Sequence, residues 1–380
     1  MHIGVNALCI VPGVTGGGET YLTGLLRALA ERKDEHRYTL FVTPRNREAL
    51  SAIHPEIACA VCRTPRSRAG RVAFERLWLP RRVAEAGVDV LFSPANTAAP
   101  VRGCAQTVCI QSLLYRLAPK EVGALRWLYF GWTLPRSVRR ADMVIAVSEE
   151  ARRQVLALGD VPEDKVRVVH EGVDAAFRPL PPEEVERALR PLGLAPGYVL
   201  FVSRLKKYKN ADKLIRACAL LKERGTPVGP MVFAGPDRGG LVPGLQALAK
   251  ELGVGERVRF LGVVEHDRLP ALYAGASVFV FPSAIETFGL PVLEAMACGT
   301  PVVGSNRSAV PEIVGDAGLI ADPEDIAALA DAIRRASGDA ALRNMLREKG
   351  LARAREFSWQ RAAEKTVRVF EEAHRRWKNR

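Results

Sequence analysis

Apolar and polar positions along the chain alternate between two rhythms. Short runs rich in β-branched residues, at 2–10, 38–43, 88–93, 107–111, 143–147 and 166–170, read as strands covered on both faces. Between them, stretches such as 19–32 and 149–158 repeat their apolar positions with the helical period. Strand followed by helix, repeated, predicts a parallel sheet with helices on both sides. The rhythm breaks at 171–197, where Pro179, Pro181, Pro182, Pro191, Pro196 and Gly197 crowd together, as they do at a domain seam. It then restarts. Strands are predicted at 198–203, 231–234, 257–261, 277–281 and 301–304, and helices at 211–224 (with Asn210 as N-cap), 243–252, 267–274 and 290–298. Beyond Asp322 the pattern is nearly all helical, ending in 358–376. The expected fold is α/β, with two Rossmann-like doubly wound domains. Their ligand crevice is expected where the C-terminal strand ends of the two sheets face each other.

The charge balance adds a question. Of 380 residues 55 are Lys or Arg and 42 Asp or Glu, a net +13, which suits nucleic acid, an anionic membrane or a phosphorylated small molecule. The surplus is clustered. Residues 63–82 hold seven Arg and one Glu, and residues 116–140 hold six basic residues and one acid, interleaved with Trp127, Tyr129, Phe130 and Trp132. Arginine beside aromatics on a helix suits either a peripheral membrane face or a solvated helix over a Trp-bearing core. No recognised nucleic-acid module accompanies the charge.

No uninterrupted apolar run reaches the ~18 residues of a membrane span, and the N-terminus reads as a first strand rather than a secretory signal. Seven cysteines on a long chain suggest a reducing, cytoplasmic compartment. Cys59 and Cys62 form a C-x-x-C, but within a strand-like segment they point to opposite faces, so they read as buried thiols rather than zinc ligands.

Three segments carry candidate chemistry. The first runs from Ser283 to Val303. A strand ends at Pro282, Glu286 lies in the following loop, and a helix starting near Leu290 carries Glu294 one turn in. The amides of Phe288, Gly289 and Leu290 are helix-start donors suited to an anion. Two carboxylates flanking such donors suit a ligand with hydroxyls at both ends and an anion between, as in a nucleotide sugar. The alternative is a pair of solvated acids at a helix start. The second segment, Val199 to Asn210, sends Arg204 off a strand end and Lys209 toward the next helix, with Lys206 and Lys207 as neighbours. The third is the glycine-rich loop 12–20, with Gly16, Gly17 and Gly18 between the first strand and first helix. It fails the G-x-G-x-x-G fingerprint but lets backbone approach a phosphate or sugar.

The stretch Glu286–Glu294, continued by Gly299-Thr-Pro-Val-Val and Pro311-Glu-Ile-Val-Gly315, resembles the E-x7-E motif of retaining GT-B glycosyltransferases, and of glycosyltransferase family 4 in particular. That resemblance implies a GT-B fold: residues 1–175 on the acceptor side, 176–360 binding the nucleotide sugar, and a C-terminal helix, 361–380, returning to the first domain. It implies that Arg204 and Lys209 bind the donor diphosphate and Glu294 the ribose. It places Glu286 on the sugar, and Gly17 and Gly18 near donor and acceptor. Gln111-Ser112 stands where many members carry His-Asp, so a hydrogen-bonding, non-titrating group replaces the family histidine near the donor sugar. The implied activity is metal-independent, retaining transfer of a hexose, mannose or glucose, from a nucleoside-diphosphate sugar. No cofactor is implied. The chain contains no D-x-D motif, the metal-binding signature of the other main glycosyltransferase fold. The acceptor, a lipid-linked molecule or a glycan, is not legible, and a membrane contact stays open. The rival readings are a two-lobed sugar- or nucleotide-binding protein and another GT-B enzyme, such as a sugar-nucleotide epimerase.

Overall fold

The computed structural model describes residues 1–13, 16–32 and 35–380. The chain divides into two compact units, Met1–Gly172 with Trp359–Arg380, and Val173–Ser358.

The first unit holds β1 (His2–Asn6), β2 (Arg37–Val42), β3 (Ala58–Val61), β4 (Val90–Ser93), β5 (Ala105–Ile110), β6 (Met143–Ala146) and β7 (Val166–Val168). They form one sheet in the order β3-β2-β1-β4-β5-β6-β7, every neighbouring pair parallel. Strands β4, β5 and β6 are buried at every position, as expected of a parallel sheet covered on both faces. The first strand stops at Asn6 rather than running on to residue 10. Asn6 accepts a hydrogen bond from the Leu8 amide at 3.3 Å, and the buried Asn46 donates to the carbonyls of Ala7 and Ile10 at 2.8 and 2.9 Å. Side-chain hydrogen bonds of this kind give the backbone an alternative to the ladder. The C-x-x-C segment contributes β3, and burial pushes the pKa of both its thiols up. Cys62 packs among Leu79, Val83 and Leu91, as a small hydrophobe does.

The C-terminal helix Trp359–Lys378 belongs to this unit. Its Trp359 meets Tyr21 edge-on at 6.0 Å and lies over Gly24, where a Cβ would come within 2.3 Å of the indole. Phe370 packs on Phe92 at 5.2 Å.

The second unit repeats the plan with β8 (Tyr198–Val202), β9 (Met231–Ala234), β10 (Val258–Gly262), β11 (Ala276–Phe281), β12 (Val302–Ser305) and β13 (Leu319–Ala321). Its order is β10-β9-β8-β11-β12-β13, again all parallel. Its core joins Val199 and Phe201 of β8, Phe233 of β9 and Val278 and Val280 of β11 to Leu214, Ile215, Leu329 and Ile333 from flanking helices. In each unit the strand order reverses direction beside one central strand, between β1 and β4 and between β8 and β11. Ligands of open α/β sheets bind at the carboxyl ends of such a pair. Among the described residues, no helix is long and apolar enough to cross a membrane.

Candidate active site

At the carboxyl end of β8 the backbone is pinned before it reaches the chemistry. Ser203 donates from its amide to the Ala234 carbonyl at 3.0 Å, and Leu205 to that of Pro236 at 3.1 Å. The loop after β9 comes so close that a Cβ on Gly235 would lie 2.0 Å from the Ser203 oxygen. Arg204 projects from this pinned segment, exposed and without a partner among the described residues.

Past Arg204 the chain makes a 3-10 turn, Lys207–Lys209, and reaches Asn210 in a left-handed conformation, φ 57°. The sequence predicts Asn210 as a side-chain N-cap of the helix Ala211–Glu223; the structure corrects this. Asn210 makes no capping bond. It is buried, and its side-chain amide donates instead to the Pro282 carbonyl at 2.9 Å. Ala284 donates to the Tyr208 carbonyl at 2.8 Å. The loops after β8 and β11, more than 70 residues apart in sequence, are thereby tied together at the switch point.

Within that junction Lys209 donates to the Glu286 carboxylate. Both side chains are close to buried, 12% and 11% exposed, and the ammonium also lies 5.4 Å and 5.3 Å from the ring centres of Tyr208 and Phe281. Neither the solvated basic loop nor the solvated acid describes these residues. A desolvated ion pair has its geometry fixed in advance, whereas an exposed one spends entropy to form. The Glu286 loop is held from its other side by Ser305, which donates to the Ser283 carbonyl at 2.5 Å, and by Ser308, which donates to that of Ala284 at 3.2 Å.

The loop runs into the helix Leu290–Ala297 through Gly289 at φ 118°, a conformation L side chains rarely adopt. Phe288 is buried against Phe357, ring centres 6.0 Å apart. Pro291 has no N–H, and Val292 bonds back to the Gly289 carbonyl at 2.9 Å. The amides of Gly289 and Leu290 have no acceptor among the described residues. One turn on, the Glu294 carboxylate accepts from the Tyr273 hydroxyl at 2.8 Å. Burial pushes its pKa up to about 7; the tyrosine hydrogen bond opposes this and the charge of Asp174 adds to it. The sequence offered no sign of Tyr273, which comes from the separate helix Leu269–Ala274.

The remaining candidates belong to the first unit. Gly17 and Gly18 open the helix Gly17–Ala30 after Gly16 at φ 66°. Residues 14 and 15 of that loop lie outside the described residues. The Glu19 carboxylate accepts from the Gly13 amide at 2.9 and 3.2 Å, and a Cβ at Gly17 would meet open space among the described residues. Gln111 follows β5, and its amide and that of Ser112 donate to Asn96 at 2.7 and 3.0 Å. The side-chain nitrogen of Gln111 is buried without a partner among the described residues. No sequence signal marks a buried trio in this unit, Tyr21, Cys109 and Glu171. Burial holds the tyrosine hydroxyl well above its ordinary pKa, with Cys109 and then Glu171 adding to the effect. Burial also holds the Cys109 thiol up, opposed by its hydrogen bond with Tyr21 and reinforced by the Glu171 charge.

Known proteins resemble the chain along its length. The family described as Glycosyltransferase Family 4 matches residues 15–177, and that described as Glycosyl transferases group 1 matches residues 184–353. O-antigen chain mannosyltransferase B of Escherichia coli is 34% identical over 300 residues, 78% of each chain. D-inositol 3-phosphate glycosyltransferase of Salinispora tropica is 37% identical over 250 residues, 62% of this chain, and the chain spans 52% of that relative's length. Among solved structures, Anabaena HepE with UDP and glucose superposes with a TM-score of 0.76 at 21% identity over 98% of this chain and 99% of that one. Sucrose-phosphate synthase from Thermosynechococcus elongatus superposes at 0.77 and 23% identity over 98% of both. At such identities the structures show the fold, which is GT-B. The two matched families in tandem, and a relative alike over most of both chains, establish that this chain is a glycosyltransferase and belongs to glycosyltransferase family 4.

Proposed function

We propose that the chain moves a hexose, mannose or glucose, from a nucleoside-diphosphate sugar to an acceptor hydroxyl with retention at the anomeric carbon, in glycan or glycolipid biosynthesis. The observation that carries this reading is the convergence at the β8/β11 switch point: the Lys209–Glu286 pair, the unpartnered amides of Gly289 and Leu290, and Arg204 on the same loop. When the glycosidic bond breaks, negative charge grows on the leaving diphosphate. Fixed donors aimed at such charge lower the barrier without rearranging. An Arg fork matches phosphate oxygens two at a time, and a Lys adds a point charge. These groups neutralise the diphosphate with no metal called for.

Glu294, ionised, accepts from the ribose diol. Glu286, with one flank held by Lys209, turns its remaining acceptor capacity to sugar hydroxyls. The chain supplies no nucleophile in this scheme: the acceptor hydroxyl attacks on the face the diphosphate leaves, and the departing phosphate takes its proton. Mannose as the transferred sugar is supported by the Escherichia coli relative, a mannosyltransferase by name, and a UDP-linked donor by the HepE complex with UDP and glucose.

The test is a thermal-shift screen of UDP-, GDP- and ADP-sugars against the chain and Arg204→Ala, followed by NMR of the product's anomeric configuration with chelator present. A donor at 100 times its Kd stabilises by about 2.7 kcal/mol, and the variant should lose that stabilisation. No response to any nucleotide sugar, an inverted product, or turnover abolished by chelator would each overturn the corresponding part of the proposal.

A further inference from the structure

The helix Ala124–Arg140 in the first unit buries Thr133, Leu134, Ser137 and Val138. At 100° per residue the opposite side carries Leu125, Leu128, Trp132 and Arg136, where a solvated helix would place polar groups. Leu125 is 86% exposed, Leu128 63% and Trp132 46%, and Trp127 is exposed beside them. From Gly123 to Leu128 every residue is exposed, while the second half of the helix is anchored by its buried residues.

Cations frame this apolar face. The guanidiniums of Arg76 and Arg136 lie 4.7 and 4.3 Å from the centre of the Trp132 ring, and Arg126 lies 5.8 Å from that of Phe130. Arg136 also donates to the Trp132 carbonyl at 2.9 Å. Next in chain to Arg76 come Leu77 and Trp78, both exposed. The arrangement joins three chemistries: exposed aliphatic side chains, indoles at their border, and arginines over the indoles. Nucleic acid would use the arginines and indoles, but it leaves Leu125 and Leu128 without a role. A bilayer surface uses all three, with leucine among the acyl chains, tryptophan at the interface and arginine on lipid phosphates.

We propose that this face docks on an anionic lipid bilayer, with the first turns of the helix Ala124–Arg140 entering the interface. The test uses the full chain with phosphatidylcholine vesicles, alone or with about a third phosphatidylglycerol. Binding is read by co-sedimentation and by quenching of tryptophan fluorescence with bromine-labelled acyl chains. Binding is expected to need the anionic lipid, to weaken with salt, and to quench. Leu125→Ser/Leu128→Ser alters only exposed positions and should weaken partitioning at least about tenfold. Arg76→Gln/Arg136→Gln should weaken it roughly fivefold per arginine. Circular dichroism checks that both variants are folded. No binding to the anionic vesicles, binding unchanged in both double variants, or binding without bromine quenching overturns the proposal. Retention on duplex DNA that the leucine variants leave intact, with no vesicle binding, would assign the face to nucleic acid instead.

Discussion

Replacing Glu294 with glutamine should stabilise the second unit at neutral pH and confer little advantage near pH 4.5. In the folded chain the Glu294 carboxyl titrates at about 7 against an ordinary 4.5, chiefly because it is buried. Each pH unit of displacement corresponds to about 1.4 kcal/mol, so ionising this group in place costs about 3 kcal/mol. Between pH 4.5 and 7 the folded chain holds more protons here than the unfolded chain, so stability falls as pH rises through that window. Glutamine keeps an acceptor for the Tyr273 hydroxyl and never ionises. Its advantage over glutamate should therefore grow by about 3 kcal/mol from pH 4.5 to above 7. The assay is urea unfolding of both proteins at a series of pH values. All five tryptophans lie in the first unit, so fluorescence follows that unit while circular dichroism follows both. Only the circular dichroism transition should separate the two proteins. An advantage that is flat across this range, or that grows toward acid, would refute the reasoning. The same variant should bind the donor more weakly, since an amide is a poorer acceptor for the ribose diol: a desolvated acid that costs stability and serves the ligand.

Other substitutions separate structural from chemical roles. Lys209→Ala should lower transfer by about 10²–10³-fold and also cost about 1–3 kcal/mol, because Glu286 is left largely desolvated without its partner; Arg204→Ala should match the loss of transfer with the melting temperature unchanged, and equal melting temperatures for the two variants would contradict the geometry. Gly17→Ala fills open space at a helix start, so thermal unfolding should show a gain of about 0.4–1 kcal/mol while transfer falls if a ligand approaches that backbone. Gln111→Met removes a buried donor that has no partner among the described residues and should raise stability by about 1 kcal/mol, read by the fluorescence transition of the first unit.

The sequence by itself determined the elements. Buried parallel strands need unbroken apolar runs, so β8, β9 and β11 were legible within a residue or so of their ends. The turn chemistry that ends β1 early was not, because Asn46 acts from 39 positions away. The motif from Glu286 to Glu294 and the cations Arg204 and Lys209 were likewise readable as residue types at a spacing. What they touch was not. Tertiary structure decided that Lys209 is the partner of Glu286 rather than a solvated cation, since only the strand order sets β8 beside β11. It decided that Asn210 ties two loops together instead of capping a helix, and that Tyr273 meets Glu294. Local pattern records how each segment can bury its own apolar face. The ionisation of a carboxyl or the partner of an ammonium depends on which distant segments exclude water from it, and that is settled only when the sheets assemble.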